Sequence, residues 1–159
     1  MLSKIYLICQ NIRSLHNVGS IFRSADAFAV SKIYLCGYTG HPPHTDISKT
    51  ALGAEKTVPW EVRKQTWKVI EEMREKRILV VALEKTKNSK PLNKFLSSKF
   101  KSAGHSSGVA LVLGNEVRGV TREMLSRADV VLHIPMYGKK ESLNVSVAAG
   151  IALYHLRII

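Results

Sequence analysis

The stretch ILVVAL, residues 78–83, decides the fold, because an unbroken run of aliphatic residues is typical of a strand buried on both faces. Stretches with helical spacing of apolar residues separate this run from others like it. The alternation predicts an α/β protein with an open, mostly parallel sheet and helices on both faces. The other predicted strands occupy residues 5–9, 33–36, 57–62, 109–113 and 130–134.

Capping residues and apolar spacing predict the helices. Asn17 is expected to cap a first helix whose apolar stripe runs to residue 29, and Thr121 to cap a short one. A charged, amphipathic helix is predicted over residues 64–77, and a short helix over residues 91–97 within a lysine-rich loop. The last helix is predicted to begin after Asn144 and to run to about residue 159.

The last helix differs from the others in being apolar nearly all round. Between Val145 and Tyr154 its only polar side chain is that of Ser146. A helix of this kind is buried on all sides, and in a chain this small a partner subunit is a plausible cover for it. The sequence therefore favours a homo-oligomer.

The composition indicates one globular domain, residues 1–159, with an anionic partner. The 24 lysines and arginines exceed the 12 acidic residues, which gives a net charge of +12. Such an excess favours nucleic acid first and an anionic membrane surface second. Cys9 and Cys36 lack the spacing of a metal or redox motif, and no stretch has the length of a membrane-spanning helix. A cytoplasmic location is expected.

Three polar clusters follow predicted strands, at residues 17–23, 114–119 and 134–144. In open α/β sheets, ligands bind where the carboxyl ends of the strands meet. Because all three clusters belong to that edge, they are expected to form one shared site.

Each cluster also has a purely structural interpretation. Asn17 would only cap its helix, and Arg23 would only pair with Asp26 one turn later. The glycines would only form turns, and Ser142 and Asn144 would only cap the last helix. Residue types alone do not decide between these interpretations and a functional site.

Several other kinds of site are disfavoured by the sequence. It contains neither GxGxxG after a strand nor GxxxxGK[ST], the glycine-rich loops that bind dinucleotides and nucleoside triphosphates. His41 and His44 flank Pro42-Pro43, which prevents them from forming a helical pair of metal ligands. His133 lies within a predicted strand and is expected to be a hydrogen-bonded structural residue. No metal site is predicted.

The three clusters together resemble a known family. The motifs are NxGxxxR at residues 17–23, LGNExxG at 113–119, and IPM at 134–136 followed by SLNVSVA at 142–148. In this order they are similar to the three motifs of the SpoU family, the RNA ribose 2′-O-methyltransferases of the SPOUT superfamily that include the tRNA methyltransferase TrmH. The segments KTALGA at 49–54, ALE at 82–84 and NS at 88–89 resemble the family as well.

The resemblance implies a fold and a cofactor that periodicity could not suggest. The C-terminal part would form a deep trefoil knot, and its loops would bind S-adenosylmethionine. The last helix would pack across a homodimer interface, with the active site nearby. The residues that the resemblance assigns to cofactor binding are Leu83, Gly114, Ile134, Met136 and Leu143.

The resemblance also assigns catalytic positions to Asn17, Arg23, Glu116, Ser142 and Asn144. Arg23 would be essential, either as the base that activates the ribose hydroxyl or as a group that binds the adjacent phosphate. A guanidinium stays protonated in proteins, which favours the positioning role. Asn17 would orient Arg23 or the ribose, and Ser142 would contact the ribose or the reacting end of the cofactor.

The RNA partner is expected to be tRNA or ribosomal RNA, held on the dimer surface by phosphate contacts. Two alternatives remain open at this point: methylation of a base nitrogen, and a non-catalytic RNA-binding dimer with the same fold. Arg23 and the SLN segment at 142–144 favour the ribose. The lysines expected to contact RNA are Lys85, Lys87, Lys90, Lys94, Lys99, Lys101, Lys139 and Lys140.

Overall fold

The computed structural model describes residues 4–96, 104 and 108–159. The strands are β1 (Lys4–Gln10), β2 (Lys32–Cys36), β3 (Trp60–Arg63), β4 (Leu79–Leu83), β5 (Lys90–Pro91), β6 (Gly108–Leu113) and β7 (Val130–His133). The helices are α1 (Leu15–Ala27), α2 (Thr45–Ala51), α3 (Ala54–Thr57), α4 (Thr66–Glu75), α5 (Arg122–Arg127) and α6 (Val145–Ile158), with a 3₁₀ turn at Leu92–Lys94.

The strands form one sheet in the order β3-β2-β1-β6-β4-β7-β5. In the described part of the chain, every pairing between neighbours is parallel. At the centre, Leu7 of β1 pairs with Ile33 of β2 on one side and Leu111 of β6 on the other. The prediction of an open, mostly parallel sheet is confirmed.

Two hydrophobic layers cover the sheet, one on each face. Along β6, Leu111 belongs to the layer formed with α1 and α6, where Phe22 and Leu153 are fully buried. The next residue, Val112, belongs to the opposite layer, where Ile70 of α4 is fully buried. Because both faces of the strands are covered, their sequences are apolar without interruption.

Helix α1 begins earlier than the sequence predicted. Its N-cap is Ser14, whose hydroxyl accepts a hydrogen bond from the Asn17 backbone N–H at 3.2 Å. The prediction that Asn17 caps this helix is therefore wrong. Asn17 lies in the first turn instead, where its side chain is free to make other contacts.

Three other predicted elements have different boundaries in the structure. The strand predicted over residues 57–62 spans Trp60–Arg63, because Thr57 ends the short helix α3 and Val58 is its C-cap. The helix predicted over residues 64–77 spans Thr66–Glu75. Of the predicted helix 91–97, the described residues form only the 3₁₀ turn, and residue 97 lies outside the described ranges.

Helix α2 packs closely against α1 because residue 19 is glycine. A Cβ atom at Gly19 would overlap the Thr50 hydroxyl and the Ile47 carbonyl oxygen of α2. The Thr50 hydroxyl donates a hydrogen bond of 2.8 Å to the His16 carbonyl oxygen across the same contact. The glycine of the NxGxxxR motif thus sets the distance between these two helices.

Helix α6 is buried on one side and exposed on the other. The buried side packs on α1 and the sheet, with Ala149, Ala152, Leu153 and Leu156 all 0% exposed. The opposite side presents an apolar stripe at helical spacing, formed by Val147, Ile151, Tyr154 and Ile158, which are 41 to 61% exposed. Within residues 4–96 and 108–159, no helix combines the length and apolar character needed to cross a membrane.

Candidate active site

A pocket of about 250 Å³ lies at the carboxyl ends of β4, β6 and β7. The loop that follows β6 and the segment 134–144 that follows β7 form its walls. The structure therefore brings two of the three predicted polar clusters together at the expected edge of the sheet. All the positions assigned to the cofactor line this pocket, namely Leu83, Gly114, Ile134, Met136 and Leu143.

The loop after β6 is held in shape by Asn115. Its side-chain oxygen accepts hydrogen bonds from the backbone N–H groups of Val117 at 3.0 Å and Arg118 at 2.9 Å. Its side-chain nitrogen donates to the Asn11 carbonyl oxygen at 2.9 Å and to the Tyr38 hydroxyl at 3.0 Å. One amide side chain thus closes the loop and attaches it to the segment after β1.

Glu84 fixes the far end of the same loop, and sequence reasoning did not identify it as a site residue. Its carboxylate accepts hydrogen bonds from the Val120 N–H at 2.9 Å and the Lys85 N–H at 3.0 Å. The carboxylate also occupies the space where Gly119, at φ +69°, would carry a Cβ atom. An acidic residue directly after the buried strand 78–83 was the signal that could have identified it.

Glu116 connects the pocket to the start of α1. Its carboxylate accepts hydrogen bonds from the backbone N–H groups of Arg13 and Ser14, each at 2.9 Å, and from the Asn17 side chain at 3.1 Å. Partial burial of this carboxylate acts to raise its pKa, but these donors outweigh it and hold the pKa of Glu116 below its ordinary value. The group is therefore a carboxylate at neutral pH.

Asn17 and Asn144 extend this network to α6. The Asn144 side-chain nitrogen donates to the Asn17 side-chain oxygen at 3.1 Å. The Asn144 side-chain oxygen accepts from the Ser146 backbone N–H at 2.8 Å and hydroxyl at 2.6 Å, so Asn144 caps α6 as predicted. The structural and functional interpretations of Asn144 are thus compatible, and a continuous chain of hydrogen bonds links Glu116, Asn17 and Asn144.

Arg23 lies apart from this network. Six residues along a helix correspond to a rotation of about 240°, so Asn17 and Arg23 face different directions. Arg23 is exposed in a second groove of about 570 Å³, the α1–α2–α6 groove, which lies between these three helices. Within the described part of the chain its guanidinium makes no hydrogen bond or ion pair, and Asp26 instead accepts a 2.8 Å hydrogen bond from the Thr57 hydroxyl.

Both apolar and charged side chains line the pocket. Carboxylates are supplied by Glu84, Glu116 and Glu141, and cations by Lys85 and Arg118. Ser142 also lines the pocket and is exposed.

Other predicted residues lie around the pocket. His133 shares a 2.9 Å hydrogen bond with the Ser89 hydroxyl, as expected of a structural residue. Among the lysines expected to contact RNA, Lys85 lines the pocket, and Lys139 and Lys140 are exposed on the segment after β7. The expectation for Lys99 and Lys101 falls outside the described residues.

Two RNA methyltransferases are similar to this chain along most of its length. It is 32% identical over 151 residues to the tRNA (guanosine(18)-2′-O)-methyltransferase of Aquifex aeolicus, a match that covers 94% of this chain and 67% of the relative. It is 30% identical over 151 residues to the 23S rRNA (guanosine(2553)-2′-O)-methyltransferase RlmP of Bacillus subtilis, covering 95% of this chain and 57% of the relative. The chain thus spans little more than half the length of the latter.

Solved structures share the fold. The AdoMet-bound rRNA methyltransferase from Sinorhizobium meliloti superposes with a TM-score of 0.87 at 28% identity, covering 99% of this chain and 57% of that one. The TrmH/SpoU tRNA modifying enzyme of A. aeolicus superposes with a TM-score of 0.84 at 29% identity, covering 98% of this chain and 74% of that one. The model of the SpoU rRNA Methylase family matches residues 4–154. This chain therefore belongs to the SpoU methylase family.

Proposed function

We propose that this chain is a single catalytic domain, residues 1–159, that transfers a methyl group from S-adenosylmethionine to a ribose 2′-hydroxyl of tRNA or ribosomal RNA. The pocket at the carboxyl ends of β4, β6 and β7 carries this proposal, because it gathers the motif residues of two separate loops around one cavity. The names of the relatives, which include both tRNA and 23S rRNA 2′-O-methyltransferases, support the choice of substrate class. An RNA substrate also favours a cytoplasmic location.

The chemistry of the pocket fits S-adenosylmethionine. Leu83, Ile134 and Leu143 offer apolar surface to an adenine ring. The carboxylates of Glu116 and Glu141 suit the cationic ammonium and sulfonium groups. When bound, the cofactor would supply a methyl group on a positively charged sulfur. The ribose hydroxyl oxygen would take the methyl group, the sulfur would leave as a neutral thioether, and the hydroxyl proton would pass to solvent.

The remaining residues would orient the acceptor ribose. Ser142, exposed at the pocket opening, offers a hydroxyl to the ribose or to the reacting end of the cofactor. The Glu116–Asn17–Asn144 chain of hydrogen bonds holds the loop after β6 against α1 and α6, which keeps both pocket walls in register. Arg23 would bind the phosphate beside the acceptor ribose and orient the hydroxyl.

A homodimer through α6 would bring Arg23 into an active site. The exposed apolar stripe of α6 and Arg23 lie on the same side of the chain, since Val147 and Gly150 line the groove that holds Arg23. Covering this stripe with a second copy would place the α1–α2–α6 groove at the interface between subunits. Replacing Ile151 by glutamate is expected to yield monomers in analytical ultracentrifugation. The matched control is Val62→Glu, at an exposed aliphatic residue of β3, and it is expected to leave the dimer intact.

We also propose the deep trefoil knot of the family for the C-terminal part. The segment 134–144 shares a pocket with the loop after β6, and α6 then packs on α1 beyond it. The segment 134–144 and α6 therefore pass beside the loop after β6, which is the arrangement expected if the end of the chain threads through that loop.

Methyl transfer to RNA from a strain lacking the gene tests the function. Total tRNA and ribosomal RNA would be assayed separately, with the product nucleosides identified by mass spectrometry. We expect a 2′-O-methylnucleoside that is lost in Arg23→Ala. It should be kept in the control Arg122→Ala, which changes an exposed arginine on the other side of the sheet. A base-methylated product would overturn the ribose assignment, and an absence of any product despite RNA binding would favour a non-catalytic dimer.

A further inference from the structure

The α1–α2–α6 groove has the chemistry of an anion site. Its polar lining consists of two cations, Arg23 and Lys49, and the hydroxyls of Ser20, Ser24, Thr50 and Ser146. Among the described residues that line it, none carries a carboxylate. Cations together with hydroxyl donors are the groups with which proteins bind the phosphates of nucleic acids.

Lys49 is held at this groove by the packing of α2 on α1. Gly19 allows the close approach of the two helices, and the Thr50 hydroxyl donates to the His16 carbonyl oxygen at 2.8 Å. Lys49, one residue before Thr50, therefore starts from a fixed backbone position. Its side chain and that of Arg23 reach the same groove from two different helices.

The Lys49 ammonium is available for a ligand. Its partner is Asp46, one turn earlier on α2, at 3.2 Å, and the two side chains are 61% and 37% exposed. An ion pair this exposed contributes little to stability, because water already solvates both charges. A phosphate entering the groove can therefore replace the Asp46 carboxylate as the partner of Lys49 at small cost.

We propose that Lys49 is a substrate-positioning residue that binds an RNA backbone phosphate in the α1–α2–α6 groove, beside the phosphate held by Arg23. The inference rests on the proposed function and extends it to a named contact. Lys49 presents a point charge, so it fixes the position of the RNA strand and contributes no base specificity. It does not contact the cofactor pocket, so cofactor binding is independent of it.

Salt dependence of RNA binding isolates this contact. The probe is a fluorescein-labelled single-stranded RNA of about 12 nucleotides, with Kd measured by anisotropy between about 0.05 and 0.4 M KCl. For single strands, each phosphate contact contributes about 0.7 to the slope of log K against log salt. Lys49→Gln is therefore expected to reduce the slope by about 0.7 and to weaken binding about fivefold at about 0.1 M salt, with the difference shrinking as salt rises.

Three further variants make the result specific. Lys76→Gln removes the same charge from the end of α4, on the opposite side of the sheet, and should leave the slope nearly unchanged. Lys49→Arg should preserve the slope, and Asp46→Asn, which frees Lys49, should tighten binding. If Lys49 served only to pair with Asp46, Lys49→Gln and Asp46→Asn would lose thermal stability equally. The two variants would then not change the Kd for RNA in opposite directions.

The outcomes separate this proposal from the proposed function. An unchanged slope in Lys49→Gln, or its dissociation into monomers, overturns the phosphate contact even if the wild type methylates RNA. A reduced slope supports the contact even if the wild type transfers no methyl group, in which case only the proposed function fails. Binding of S-adenosylmethionine, measured by calorimetry, should be the same in Lys49→Gln and wild type.

Discussion

Replacing Gly19 by alanine should destabilise the protein, although alanine is the better helix former. The new Cβ would overlap both the Thr50 hydroxyl and the Ile47 carbonyl oxygen. The hydroxyl can rotate away, but the carbonyl oxygen belongs to the backbone of α2 and moves only if the helix moves. Relief of the overlap therefore requires α2 to shift away from α1.

The magnitude follows from two opposing contributions. Overpacking a tight contact costs about 1–3 kcal/mol. Replacing glycine by alanine inside a helix returns about 0.5–1 kcal/mol. The middles of the two ranges leave a net loss of about 1 kcal/mol, which in a chain of this size lowers the melting temperature by about 2–4 °C.

Gly150→Ala provides the matched control, because it makes the same substitution inside α6. There the new Cβ would lie 3.6 Å from the Ser24 hydroxyl, an ordinary contact distance. This variant should therefore gain about 0.5–1 kcal/mol. Thermal and urea unfolding at two protein concentrations measure both variants and separate folding from association. A Gly19→Ala protein as stable as the wild type, or effects of the same sign in both variants, would refute the reasoning.

Three other substitutions probe the site and its support. Glu84→Gln should weaken S-adenosylmethionine binding about tenfold in calorimetry, because its amide would turn a donor toward the N–H of Val120 or of the following lysine. Glu84→Asp, which keeps both acceptor oxygens, should bind the cofactor more tightly than Glu84→Gln does, and an unchanged Kd in Glu84→Gln would contradict this reasoning. The pKa of Glu116 is lower in the folded protein than its ordinary value of 4.5. Its carboxylate therefore stabilises the fold at pH values above 4.5, and this stabilisation is lost as the pH falls through the folded-state pKa. In Glu116→Gln the free energy of unfolding should fall less steeply with decreasing pH below about pH 5. The same pH dependence in the variant and the wild type would exclude a contribution from Glu116. Arg157→Ala should lower the free energy of unfolding by about 1.5–3 kcal/mol in urea, since its guanidinium donates to the Phe28 carbonyl oxygen at 2.7 Å at the end of α1. A change below about 0.5 kcal/mol would show that water replaces this donor.

The fold was predictable where burial leaves a pattern. The strand at 78–83 and its neighbours are buried on both faces, and continuous apolar runs report that directly. Strand β5 is two residues long and includes Pro91, so it has no periodicity to detect. Helix α2 is capped by the His44 side chain and ends at Leu52 in a left-handed conformation, neither of which is a usual boundary signal.

The site was predictable to the extent that its residues follow strands. Leu83, Gly114 and Ile134 follow or end strands that share one edge, so the parallel sheet brings them together. The separation of Arg23 from Asn17 follows from their six-residue spacing once both lie on α1, but the sequence prediction placed Asn17 outside the helix as its cap. The contacts of Glu84 are to backbone N–H groups, which the sequence does not show, so its position directly after the buried strand 78–83 was the only available signal.

Asn144 has two structural roles, and these affect which substitutions the family can accept. It caps α6 and also bonds Asn17. A lineage that lost methyl transfer would still be selected to keep this asparagine, since without it the Ser146 N–H at the start of α6 would lose its acceptor. Ser142 differs, because within the described ranges it makes no hydrogen bond. Among descendants of an inactive ancestor, Ser142 should be substituted before Asn144. A relative that has lost Ser142 but kept Asn144 would therefore be expected to fold without catalysing methyl transfer.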